Sequence, residues 1–102
     1  MEGGQTLAQL GQPEKAIEAY TQAIEISPKY ATALNARGTL YLNARRNTEA
    51  LADFNAAIEL NPNWGAPRYN IGLIYAGLGQ TEKAMQAYDD ALRVSQIGRA
   101  HV

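Results

Sequence analysis

Asn47-Thr48-Glu49-Ala50-Leu51-Ala52-Asp53-Phe54-Asn55-Ala56-Ala57-Ile58-Glu59-Leu60-Asn61-Pro62 is the stretch that decides the fold. It sets Ala50, Phe54, Ala57 and Ile58 at helical spacing and stops at a proline. The same residue types return on either side at a fixed interval. Ala16, Ala50 and Ala84 lie 34 residues apart, and so do Tyr20, Phe54 and Tyr88. Ala23, Ala57 and Ala91 follow in step, then Ile24, Ile58 and Leu92. Pro28 and Pro62 share a column, as do Gly4, Gly38 and Gly72, and Leu7, Tyr41 and Tyr75. Agreement of this many columns at one period is the signature of a repeat array.

Within a unit the spacing is that of an amphipathic helix. Ala16, Ile17, Tyr20, Ala23 and Ile24 follow the i, i+3, i+4, i+7 rule, with Glu18, Gln22 and Glu25 between them for the solvated face. Pro13-Glu14, Thr48-Glu49 and Thr81-Glu82 mark the start of each second helix. Asn47 and Thr81 occupy one column and are candidate caps. Pro28 and Pro62 end the helices before them, because proline disfavours helical backbone in its predecessor. The pattern predicts helices near 2–10, 13–26, 31–43, 47–60, 65–77 and 81–96. The small residues Gly38, Gly72, Ala50 and Ala84 allow close helix approach, and the aromatic columns fill the space between pairs. Each pair has a face it cannot bury alone, so neighbours must stack. The expected fold is all-α, a right-handed α-solenoid of helix-turn-helix units forming one domain over 1–102. Its repeats fall at about 1–30, 31–64 and 65–98, the first lacking its opening turn.

Composition narrows the function. The 102 residues carry nine basic and ten acidic side chains, so no strong field draws the chain to nucleic acid or an anionic membrane. Cysteine is absent, which removes thiolate catalysis and thiolate metal sites and fits a reducing, cytoplasmic location. No apolar run is long enough to span a bilayer, and Met1-Glu2-Gly3-Gly4 has no signal pattern. The one histidine is His101, and the serines are Ser27 and Ser95, so no catalytic triad or metal set can be assembled. Asp89-Asp90 point to neighbouring directions on one helix and are not a ready carboxylate pair. Gly3, Gly4 and Gly11 follow no strand, so a phosphate loop is unsupported. The chain therefore reads as noncatalytic, with no cofactor and no metal.

The period and residues resemble the tetratricopeptide repeat family, whose pattern runs Trp-x2-Leu-Gly-x2-Tyr, Ala-x3-Phe, Ala and Pro. The middle unit supplies Leu34, Arg37-Gly38, Tyr41, Ala50, Phe54, Ala57 and Pro62. The last supplies Arg68, Ile71-Gly72, Tyr75, Ala84, Tyr88 and Ala91. The resemblance implies a scaffold that grips a peptide or protein segment in its concave groove. The partner would be a protein, with no nucleic acid and no membrane insertion. The groove stripe would comprise Gln5 and Gln9, then Thr32, Asn35, Thr39 and Asn43, then Tyr69, Asn70 and Leu73. It is polar and nearly uncharged, and its amides can both donate and accept. Members that hold acidic chaperone tails use a basic clamp on this stripe. The matching positions here are Met1, Gln5, Ala36, Ala66 and Asn70, so a free carboxylate terminus is disfavoured.

Departures from the pattern carry their own expectations. Arg37 and Arg68 stand where apolar groups are expected. Each either lays its stem on the core with its charge at the edge or reaches the groove to meet a partner carboxylate. Arg45 fills a turn column otherwise held by Gly11 and Gly79, and left-handed backbone there would cost about 1 kcal/mol. Trp64 shares a column with Tyr30 and is expected to pack under the inter-unit turn. Gln96 replaces the expected proline, so the last helix can run on toward Ile97 without a capping helix after it. An uncapped array end invites association. The alternative to a peptide-binding scaffold is thus an assembly element, a homo-oligomer or domain swap through a repeat end, or a fragment of a longer array.

Overall fold

The computed structural model describes residues 12–100, with side chains described through Gln96. The helix expected over 2–10, with Gln5 and Gln9, lies outside the described residues. The remaining helices are α1 (Pro13–Ile26), α2 (Ala31–Asn43), α3 (Asn47–Leu60), α4 (Gly65–Gly77) and α5 (Thr81–Ala100). They pack as consecutive antiparallel neighbours, α2 with α3 and α4 with α5, while α2 and α4 also meet.

Two kinds of turn alternate. After α1 and α3, the residues before proline, Ser27 and Asn61, leave the helix at φ −131° and −144°. Each turn then closes with the same bond, Tyr30 N–H to the Ser27 carbonyl and Trp64 N–H to the Asn61 carbonyl, both 3.1 Å. In α5 the corresponding position holds Gln96, nothing interrupts the ladder, and the helix continues to Ala100, beyond the expected end near 96. After α2 and α4, Arg46 N–H bonds the Tyr41 carbonyl and Gln80 N–H the Tyr75 carbonyl, wrapping the helix end around a left-handed residue. That residue is Gly79 at φ 77° in one turn and Arg45 at φ 61° in the other. Left-handed backbone costs a side-chain-bearing residue about 1–2 kcal/mol. Arg45→Gly is therefore expected to stabilise the chain by about 1 kcal/mol, raising Tm by roughly 4–8 °C. An unchanged or lower Tm would refute the strain.

Asn47 and Thr81 occupy the first helical position rather than the cap, and α1 to α4 have no side-chain cap hydrogen bond. Acidic residues in the first turn, Glu14, Glu49 and Glu82, face the positive helix end instead. Glu49 also accepts from Arg46 at 2.7 Å, which holds its carboxyl below the ordinary value. The pair is exposed. Its contribution is complete above the ordinary carboxylate range and fades as pH falls through the lowered value.

The core follows the repeat columns. Ala50, Phe54 and Ile74 form one buried cluster with Tyr41, Leu42, Leu51 and Ile71 packed against it. Ala16, Ile17 and Leu40 form another, with Tyr20 and Tyr41 alongside. Tyr41 belongs to both and joins successive pairs. The glycine column is explained by contact. A Cβ on Gly38 would lie 2.6 Å from Cε1 of Phe54, and one on Gly72 would lie 2.4 Å from Cε1 of Tyr88.

Candidate functional site

An α-helix turns about 100° per residue, so Thr32, Asn35, Thr39 and Asn43 fall along one side of α2. Ala66, Tyr69, Asn70 and Leu73 fall along one side of α4. The structure brings these two sides together, because Asn70 Nδ2 donates to Asn35 Oδ1 at 3.1 Å across the helix pair. That bond uses one end of each amide. Among the described residues, nothing else bonds to the Nδ2 of Asn35 or the Oδ1 of Asn70. Thr39 Oγ1 donates to the Asn35 carbonyl one turn back, which fixes its hydroxyl. Thr32 and Asn43 are exposed at the two ends. Tyr69 is 51% exposed, and its ring packs on Tyr88 of α5 with centroids 5.2 Å apart. A depression of about 360 Å³ lies beside it, bounded by Ala66, Tyr88, Leu92 and Ser95. Leu73 is also exposed.

The two arginines part company. Arg37 lies on the side of α2 opposite the stripe and is bonded within the chain. Its Nε and Nη2 donate to the two carboxylate oxygens of Asp53 at 2.8 and 2.7 Å, and its Nη1 to Thr21 Oγ1 at 3.1 Å. Asp53 is 5% exposed. The bond to Asp53 holds the Arg37 guanidinium above its ordinary pKa, against burial. The ring of Tyr41 lies between Arg37 and Arg46, 5.7 and 4.7 Å from their guanidinium carbons. Arg68 lies on the far side of α4 from Asn70, half-buried, between α3 and α5. Its Nε is buried and has no hydrogen-bond partner among the described residues. Neither guanidinium thus sits on the stripe.

Sequence reasoning missed Asp53. The available signal was an acid in a column where the next unit has Ala87, sixteen residues after an arginine in an apolar column. Trp64 is half-buried at the start of α4, in the turn closed on Asn61, whereas its column partner Tyr30 is exposed. Among the described residues no helix is long and apolar enough to cross a membrane.

Paired antiparallel helices repeating in register, with a small–large column between them, define a helical repeat protein of the scaffold class. A tetratricopeptide repeat profile matches residues 36–99, and a second TPR repeat profile matches residues 4–44. The chain belongs to the tetratricopeptide repeat family. It is 33% identical over 89 residues to heat shock protein STI1 of Saccharomyces cerevisiae, covering 85% of this chain and 15% of that protein. Among solved structures it superposes on MamA with TM-score 0.86 at 24% identity, covering 95% of this chain and 57% of that one. It also superposes on the second TPR of Spaghetti (RPAP3), solved bound to the HSP90 peptide SRMEEVD. There the TM-score is 0.80 at 27% identity, covering 90% of this chain and 85% of that one. The chain therefore spans only a small part of the yeast relative's length.

Proposed function

We propose that the chain is a noncatalytic scaffold that holds an extended segment of a partner protein along the stripe of α2 and α4. The observation that carries this reading is the Asn35–Asn70 pair. It presents amide donors and an amide acceptor side by side, which is what a peptide backbone offers in return. Tyr69 and Leu73 add exposed apolar surface beside it. The complex of the RPAP3 relative supports a peptide-holding role at the level of the family. An acidic C-terminal tail suits this stripe poorly, because Ala36, Ala66 and Asn70 supply no positive charge and Arg37 is held by Asp53.

The test is selection of binders from a random peptide display library on the wild-type chain. Each lost hydrogen bond costs about 0.5–1.5 kcal/mol, so Asn35→Ala with Asn70→Ala should weaken the selected peptides roughly tenfold or more. The peptide SRMEEVD should bind at least as weakly to the wild type as to the double variant. Selected peptides that bind both proteins equally would sink the reading.

A second reading has an observation of its own. Met85 and Leu92 are each 59% exposed on α5, whereas their column counterparts Leu51 and Ile58 are half-buried between repeats. This face is a surface through which copies could stack. If they do, the mass by light scattering rises with concentration, and Leu92→Lys with Met85→Lys returns it to about 11.1 kDa. A mass near that value at every concentration for the wild type removes this reading. Because both side chains are exposed, the substitutions leave the fold intact.

A further inference from the structure

The two junctions between successive repeats are built differently on the side away from the stripe. At the first, Arg37 enters the space between α1 and α3 and is answered within the chain by both oxygens of Asp53 and by Thr21. Moving 34 residues along, Arg37 becomes Ile71, Asp53 becomes Ala87 and Thr21 becomes Asn55. The guanidinium returns one turn away, because Arg68 replaces Leu34. What results is a groove of about 260 Å³ between α3 and α5, with Arg68, Ile71 and Tyr75 of α4 as its floor and Asn55, Lys83, Ala87 and Asp90 among its walls.

One donor in this groove is left without a partner. Arg68 Nε is shielded from solvent and has no partner among the described residues. Buried polar donors are almost always hydrogen-bonded, since an unmet one loses its water without gaining a partner. Lys83 adds a second positive group over Tyr75, 5.6 Å from its ring centre. Asp90 is the acid present, and its Oδ1 accepts from Gln86 and from Arg93. The first junction shows which group completes such an arginine here, a carboxylate gripped by two donors.

We infer that the groove between α3 and α5 is a second recognition site, which takes an aspartate or glutamate side chain of a partner segment on Arg68, with Lys83 at its mouth. The site lies on the opposite side of α4 from Asn70. It therefore stands or fails separately from the stripe.

The experiment is an NMR titration of the whole chain with a capped peptide containing one glutamate, against the same peptide with glutamine and against free glutarate. With the glutamate peptide, the Arg68 Nε–H signal and the Ile71 methyl signals should shift and saturate. The glutamine peptide should leave them in place. Ala87→Asp restores the in-chain acid of the first junction, and it should weaken the glutamate peptide at least tenfold while the chain stays folded. Asp90→Asn should tighten binding by removing the nearby competing charge. Asn35→Ala should leave this titration unchanged. Three results would overturn the inference. One is no shift with the glutamate peptide. Another is binding of glutarate but not of the peptide. The last is an Arg68 Nε–H signal already carboxylate-bonded in the free chain and released by Asp90→Asn.

Discussion

Phe54→Ala is expected to remove about 3–5 kcal/mol of folding free energy. The ring is 0% exposed and sits where three helices meet. It lies against the Gly38 backbone of α2 and clusters with Ile74 of α4, while its own helix is α3. Truncation thus opens a void inside one repeat and at its junction with the next, and neither helix can close it without losing other contacts. A domain of this size has about 5–15 kcal/mol in all, so the variant should sit near the edge of folding at 37 °C. Urea unfolding followed by far-UV circular dichroism, and by the fluorescence of Trp64, gives the number. Tyr88 holds the same column and touches Gly72 in the same way, but it remains partly exposed. Tyr88→Ala should accordingly cost less. A Phe54→Ala loss below that of Tyr88→Ala would mean that the ring is not the keystone of the junction.

Asp53→Ala should cost about 2–3 kcal/mol, below the roughly 3–5 kcal/mol of a fully buried pair, because the Arg37 side chain retains 18% exposure. The loss comes from stranding the guanidinium, since Thr21 alone cannot replace two carboxylate bonds. Exchanging both partners, Arg37→Met with Asp53→Leu, should cost far less, because no desolvated charge is left behind. The chain offers a precedent, as the corresponding positions one repeat on are Ile71 and Ala87. A double-mutant cycle in urea measures the coupling. Single and double variants of equal stability would show that the pair is a solvated surface contact.

Much of the fold was open to a reader of the sequence. The period of 34 placed α1 to α4 at their observed bounds, because helix limits here depend on local chemistry. Proline after Ser27 and Asn61 ends two helices, and the left-handed positions Arg45 and Gly79 end two more. The glycine and aromatic columns were legible for the same reason, since a repeated small–large pair is a repeated packing contact. The cap assignment to Asn47 failed because the helix begins at Asn47 itself, after Arg46, so its side chain stands one position too late to cap. The end of α5 was only partly legible, since loss of a proline removes a stop signal without supplying a new one.

The candidate sites were less legible. Periodicity assigned Asn35 and Asn70 to one face but could not say that they bond to each other, 35 residues apart. It placed Arg37 and Arg68 in apolar columns and left both fates open. The packed helices show what each meets: Arg37 meets Asp53 across sixteen residues, while Arg68 Nε has no partner among the described residues. A hydrophobic period records which side of a helix is buried, averaged over its turns. Whether a given charge finds its partner depends on how neighbouring helices cross, to within about an ångström. The sequence by itself therefore determined the repeat, the helix pairs and the side each residue faces. The tertiary structure alone decided which polar groups are satisfied within the described residues, because that depends on how neighbouring helices cross.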